Sequence, residues 1–173
     1  MLTVRVTRWP ETVASDPKRS ETTVVRRAAL HRGWVDFLSR IKWELFVTLT
    51  FDPKKVFPVP KSTARREAFW WCGLTGCLMR RPVGWVYAPE RGSSGHWHVH
   101  ALLVGTSGSL VPAAASLWSA RNGHIDVRPV SDVKGVALYT TKEAAMTGEV
   151  VWSDTLGLYS RPLGSDAVVQ LYP

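Results

Sequence analysis

The chain has 173 residues, 45% of them hydrophobic, and its 22 basic and 14 acidic side chains give a formal net charge of +8. This length and apolar content suit one globular domain and exclude a disordered tail. No apolar run is long enough to span a membrane, and the N-terminus lacks the apolar segment of a secretory signal, so we expect a cytoplasmic protein. The positive charge favours nucleic acid as a partner.

The first nineteen residues are charged, contain two prolines and show no sustained periodicity. We expect a loosely ordered basic arm over 1–19, followed by a single domain over 20–173. Val4 and Val6 are the candidates for a short edge strand within the arm.

Apolar spacing and turn residues predict the elements that follow the arm. In chain order they are a helix at 20–43, a strand at 46–51, a helix at about 62–80, strands at 84–90 and 96–104, a helix at 112–121, a strand at 124–129, and a helix from 131 or 132 to about 146. From residue 46 onward this order predicts an α+β fold, an antiparallel sheet with helices on one face. Residues 150–172 are ambiguous.

The two cysteines, Cys72 and Cys77, fall in the second predicted helix. Their spacing is a poor match to zinc-binding pairs, and the chain has no second pair. We expect both to be small buried groups without a function.

The most informative segment contains three histidines that alternate with apolar residues, at His96, His98 and His100, before the run Ala-Leu-Leu-Val. Successive side chains of a strand point to opposite faces, so the three imidazoles share one face. Imidazole is the commonest metal ligand among side chains, and the pattern predicts a metal-binding strand. The alternative is a polar strand face with partly exposed histidines.

The turn at 91–95 predicts an antiparallel hairpin between the histidine strand and the strand before it. With a symmetric five-residue turn, Glu90 lies opposite His96 and on the imidazole face, with His100 farthest away. A carboxylate beside two imidazoles suits a divalent metal with open coordination positions. This geometry leaves open which two of His96, His98 and His100 bind, since a bulge would change the register.

Tyr139 and Lys142 lie three residues apart in the last predicted helix, and are therefore neighbours on its surface. A neutral phenol is a weak nucleophile, and a nearby ammonium group or metal favours the phenolate. By itself this pair is more typical of a half-buried aromatic residue beside a solvated lysine than of a nucleophile.

Three segments resemble, in the same order, the motifs of the HUH endonucleases, and specifically those of single-tyrosine rolling-circle replication initiators, the Rep proteins of plasmids and small viruses. The matching segments are residues 46–51, His98-Val99-His100 with the following Ala-Leu-Leu, and Tyr139-Thr-Thr-Lys142. Glu90 lies eight residues before His98, where the family often has its acidic ligand. The resemblance extends over residues 46–142.

The resemblance implies that Glu90, His98 and His100 bind Mg²⁺ or Mn²⁺ on a central antiparallel sheet of ferredoxin-like type, with helices packed on its faces. Tyr139 would attack a phosphate of single-stranded DNA and leave a 5′-phosphotyrosine, while Lys142 orients the phosphate or stabilises the phenolate. The expected activity is sequence-specific nicking and strand transfer at an origin hairpin or loop, with a host helicase as a further partner. Exposed tryptophans beside arginines would stack unpaired bases.

Three other interpretations remain: a non-catalytic nucleic-acid-binding module, a hydrolytic metalloenzyme that forms no tyrosine adduct, and a related HUH transposase. Transposases of this class usually have glutamine where this chain has Lys142. Relaxases also resemble the family, but their tyrosine lies near the N-terminus, and no tyrosine precedes Tyr87 here. The chain has no phosphate-binding loop of the helicase type.

Overall fold

The computed structural model describes residues 4–6, 17–56, 59–92, 95–142 and 150–159, and for 4–6 and 17–27 the backbone alone. Ten helices and strands are present in these ranges, followed by a 3₁₀ turn at Asp154–Leu158. In chain order they are β1 (Val4–Val6), α1 (Pro17–Ser39), β2 (Leu45–Phe51), α2 (Lys61–Met79), β3 (Gly84–Arg91), β4 (Trp97–Val104), α3 (Pro112–Arg121), β5 (Gly123–Pro129), α4 (Val133–Thr141) and β6 (Val151–Ser153).

The α+β prediction is confirmed. The strands form one antiparallel sheet in the order β1-β6-β3-β4-β2-β5. Side chains of β2 are alternately buried and half-buried, as expected for a strand whose two faces differ. The helices, however, lie on both faces: α2 and α3 on one, α1 and α4 on the other. The expectation of helices on one face is therefore wrong, because both faces carry apolar residues that need cover.

The N-terminal segment departs from the predicted loose arm where it is described. Val4–Val6 pairs with β6 as the edge strand β1, and α1 begins at Pro17. The rest of the predicted arm lies outside the described residues. Helix α1 ends at Ser39 rather than at the predicted residue 43. At this end of the helix, the Trp43 indole donates a hydrogen bond to the Leu38 carbonyl at 2.8 Å. The Ile41 amide donates to the same carbonyl at 3.2 Å, so two donors satisfy this carbonyl at the helix end.

Helix α4, which carries the predicted nucleophile, starts with a side-chain cap. Oδ1 of Asp132 accepts a hydrogen bond from the Gly135 amide at 2.9 Å. A Cβ atom at Gly135 would collide with the Asp132 carboxylate, so glycine permits this cap. The helix ends at Thr141, and the predicted extension to about residue 146 falls largely on 143–149, outside the described residues.

Both cysteines lie in α2, as predicted. Cys72 is buried, and burial raises the pKa of its thiol, whereas Cys77 is exposed, contrary to the prediction. Among the helices of the described residues, none has the length and apolar character needed to cross a membrane.

Candidate metal centre and active site

In the hairpin of β3 and β4, Glu90 pairs with His98. A symmetric turn at 91–95 predicts His96 as its partner, two residues earlier in β4. Arg91 remains in β3 and pairs with Trp97, so the connecting loop begins one residue later. The Gly92 amide donates to the His96 carbonyl at 2.8 Å and closes this loop. The predicted register, with Glu90 opposite His96, is therefore wrong by two residues.

His96 lies in the hairpin loop, where it is exposed, and it takes no part in the ligand cluster. Glu90, His98 and His100 do come together: one ligand atom from each lies within 4.8 Å of the others. Because a two-residue shift preserves the alternation of side chains, Glu90 stays on the imidazole face despite the changed register. The three residues form the cluster that the sequence nominated.

The contacts within the cluster are short and centred on one carboxylate oxygen. Oε2 of Glu90 lies 2.7 Å from Nε2 of His100 and 3.6 Å from Nε2 of His98. The His100 and Glu90 side chains are 5% and 14% exposed, and His98 is 23% exposed. The cluster is thus sheltered on the His100 side and open to solvent at His98.

The atoms at the centre of the cluster suit a cation. The orientation of the 2.7 Å contact does not meet hydrogen-bond geometry, so Oε2 of Glu90 and Nε2 of His100 are buried atoms without a hydrogen-bond partner among the described residues. Burial lowers the pKa of His100 to about 4, against the opposing effect of Glu90, and the imidazole is therefore neutral near pH 7. A neutral imidazole and a carboxylate are the donors that a divalent metal takes.

Thr48 in β2 is a positioning residue that sequence reasoning missed. Its Oγ1 lies 3.2 Å from Nδ1 of His100, which it faces across the β2–β4 pair. If Nδ1 carries the ring proton and donates it to Thr48, Nε2 is left as the metal-binding atom. β2 has two half-buried threonines, Thr48 and Thr50. The sequence of β2 alone does not show which of them lies opposite His100, because this depends on the pairing of β2 with β4.

Lys142 contacts the cluster through the second oxygen of Glu90. Its Nζ lies 2.7 Å from Oε1, and it also lies 3.9 Å from the centre of the Tyr139 ring. Burial would raise the pKa of Glu90, but the hydrogen bond and the positive charge of Lys142 help to hold it below its usual value. Burial opposes the charge of Lys142, yet Glu90, with a smaller contribution from Tyr139, raises the Lys142 pKa. Carboxylate and ammonium therefore keep each other charged.

Tyr139 lies on the same face of the sheet as the cluster and next to it. Its ring centroid is 4.8 Å from that of His100, and its side chain is 43% exposed. Phe46 of β2 stacks on His100 with ring planes 11° apart and meets Tyr139 edge-on at 5.8 Å. Phe46 therefore fixes the imidazole and the phenol relative to each other, a role that sequence reasoning also missed.

Tyr159, the next tyrosine to consider as a nucleophile, lies elsewhere. Its hydroxyl donates to the Pro82 carbonyl at 2.6 Å, and its ring packs where Gly84 and Gly105 leave space. A Cβ at either glycine would collide with this ring. Tyr159 therefore closes the end of β3 and is not among the residues around the Glu90 cluster.

Among the residues that the structure describes, Trp70 is an exposed tryptophan beside an arginine. The Arg121 guanidinium lies 5.0 Å from the centre of the Trp70 ring, which is 37% exposed. This pair belongs to α2 and α3, on the sheet face opposite Tyr139. It is not adjacent to the cluster.

Comparison of the chain with family models, with curated proteins and with solved structures finds no match. The cluster and its neighbours are therefore the features that indicate a function.

Proposed function

We propose that this protein is a metal-dependent nickase and strand transferase of the HUH endonuclease class, acting on single-stranded DNA to initiate rolling-circle replication. One observation carries the proposal: an exposed tyrosine, Tyr139, stands against a Glu-His-His cluster, with its ring 4.8 Å from that of His100. A bare metal site would need no tyrosine, and a buried structural tyrosine would not be 43% exposed.

Glu90, His98 and His100 would hold Mg²⁺ or Mn²⁺, the ions that the resemblance implies. The Glu90 carboxylate and the phosphate oxygens are the ligands that suit these hard ions. When bound, such an ion supplies charge neutralisation at the scissile phosphate. Thr48 and Phe46 keep His100 oriented for this task through its Nδ1 and its ring face.

Tyr139 is the nucleophile in this proposal. A bond forms between its phenol oxygen and phosphorus while the bond from phosphorus to the 3′ oxygen breaks. The phenol loses one proton and the departing 3′ oxygen gains one, which leaves a 5′-phosphotyrosine and a free 3′-hydroxyl. Lys142, 3.9 Å from the ring centre, offers the positive charge that favours the phenolate and attracts the phosphate.

The proposal is tested by Tyr139→Phe with Tyr159→Phe as the matched control. Each protein is incubated with labelled single-stranded oligonucleotides and Mn²⁺, then run on a denaturing gel. We expect a shifted covalent band with the wild type and Tyr159→Phe, and none with Tyr139→Phe, because phenylalanine has no oxygen to attack phosphorus. DNA binding by Tyr139→Phe should stay close to wild type.

The other outcomes separate the alternatives. Metal-dependent cleavage without a covalent band would indicate a hydrolytic metalloenzyme. Binding without cleavage would indicate a nucleic-acid-binding module. A band that persists in Tyr139→Phe would remove Tyr139 from its role.

A further inference from the structure

An open cavity of about 480 Å³ lies where β2 ends, at the sheet edge formed by β5. Its walls come from the end of β2 and the turn after it, the last turn of α3 and the start of β5. The polar residues that line the cavity are Thr50, Asp52, Lys55, Ser119 and His124. None of these residues belongs to the metal cluster.

The strand register connects two walls of this cavity, Thr50 and His124, to the metal cluster, while the α3 wall lies on the opposite face of the sheet. Thr50 pairs with His98 on one side and with His124 on the other, so all three lie in one row across the sheet. Paired residues of antiparallel strands point to the same face. Because neighbouring strands lie about 4.8 Å apart, His124 is roughly 10 Å from His98. This separation is on the scale of the nucleotide next to a scissile phosphate bound at the cluster.

The path between the two is accessible. Helix α4 packs over β3 and β4, whereas on the same face of β5 His124 is exposed and Asp126 is half-buried. Thr50, between His98 and His124, is also half-buried. An extended strand can therefore lie across β2 and β5 without any displacement of α4.

The polar side chains of the cavity are one carboxylate, one ammonium group, two hydroxyls and one imidazole. The Lys55 ammonium donates to the Ser119 carbonyl at 2.6 Å, at the C-terminal end of α3, where a positive charge is favoured. Asp52 uses one carboxylate oxygen to accept the Lys54 amide at 2.9 Å, and its other lone pairs remain available. This carboxylate favours a ligand with N–H donors, which a base has and a phosphate lacks.

We propose that this cavity binds one unpaired base of the nucleotide flanking the scissile phosphate, and that it selects guanine; this rests on the proposed function. Guanine presents two adjacent donors, N1–H and the N2 amino group, which match the two oxygens of the Asp52 carboxylate. Adenine and cytosine present a single amino group on the same edge, and thymine a single N–H between two carbonyls. The cavity then supplies part of the sequence specificity of nicking.

The test uses oligonucleotides randomised around the cleavage site, whose covalent adducts are captured and sequenced. We expect the wild type to prefer guanine at one flanking position. Asp52→Asn should lose about 10-fold of that preference, since an amide replaces one acceptor by a donor. Asp36→Asn, at an exposed position of α1, is the matched control and should keep it. His124→Ala, at an exposed position, should weaken the preference without a change in folding.

A second measurement does not depend on the chemical step. Binding is measured in EDTA with an oligonucleotide that has hypoxanthine in place of the preferred guanine and therefore lacks the N2 amino group. The wild type should bind this oligonucleotide several-fold more weakly than the guanine oligonucleotide. Asp52→Asn should bind the two oligonucleotides equally well. If the adducts of the wild type and of Asp52→Asn show the same base preference, the proposed base site is wrong and the proposed function is unaffected. If the wild type forms no adduct with any oligonucleotide, the proposed function itself fails.

Discussion

Glu67 and Glu90 are two carboxylates of low exposure on opposite faces of one sheet, and their partners differ. Both oxygens of Glu67, in α2, accept hydrogen bonds from side chains that are charged or amide donors, namely Arg66, Arg121 and Asn122. Glu90 receives Lys142 at Oε1, while its Oε2 faces two imidazoles and has no hydrogen-bond partner among the described residues.

This difference is the one expected between a structural carboxylate and the metal-binding carboxylate that we propose. A charge taken out of water needs compensation, and Glu67 obtains it entirely from its own protein. Only one oxygen of Glu90 has such a partner, Lys142. The other oxygen, which has no hydrogen-bond partner among the described residues, lies beside the neutral ring of His100. The missing compensation at Glu90 is what a metal ion would supply.

The largest effect should come from Glu90→Gln. We expect adduct formation in Mn²⁺ to fall by at least about 100-fold, because a metal that stabilises charge at phosphate contributes several kcal/mol and the amide is a poor ligand. The rate is measured from the covalent band under single-turnover conditions. Glu67→Gln is the matched control, and its rate per folded molecule should equal that of the wild type. Equal losses in both variants would show that the two carboxylates do not differ in function.

The next effect concerns metal binding without any DNA. Mn²⁺ at 100 times its dissociation constant should raise the free energy of unfolding of the wild type by about 2.7 kcal/mol, because the ion binds the folded protein. This is measured by urea titration with Mn²⁺ or with EDTA. His98→Ala should lose most of the stabilisation, whereas His96→Ala, in the loop outside the cluster, should keep it. The reverse order would mean that His96 is a ligand and His98 is not.

The face of the sheet that carries the cluster could be predicted from sequence, and its register could not. Alternation places Glu90, His96, His98 and His100 on one face, and only the resemblance to the HUH endonucleases favoured His98 and His100 over His96. The structure brings these two histidines together with Glu90. The hairpin turn contains no two-residue signal such as Asn-Gly, and nothing local decides whether Arg91 belongs to the strand or to the loop. That single choice moves the pairing by two residues and preserves the face.

Bounds set by local signals were also predictable. Helix α3 begins at Pro112 and ends at Arg121, as predicted from the proline in its first turn and the Asn-Gly stop. The contacts of Thr48 and Phe46 with His100 cross from β2 to β4, about fifty residues apart in the chain, and depend on a pairing that sequence patterns do not specify. The cavity beside His124 likewise requires the position of β5 next to β2.

The smallest effect should come from the satisfied carboxylate. Glu67→Gln should lower the free energy of unfolding by about 2 kcal/mol at pH 7, because hydrogen bonds from charged donors to a buried carboxylate are lost or weakened. The hydrogen bond from Arg121, with a further one from Arg66, holds the pKa of Glu67 below its usual value. Stability that comes from a lowered pKa is present above the unfolded-state pKa and is lost as the pH falls through the folded-state pKa.

The difference in unfolding free energy between wild type and Glu67→Gln should therefore be largest at neutral pH and shrink as the pH falls below the ordinary range of a glutamate. Urea titrations from pH 7 to acid, with EDTA present so that no metal contributes, measure this difference. A difference that stays constant with pH would mean that the charge of Glu67 does not stabilise the fold.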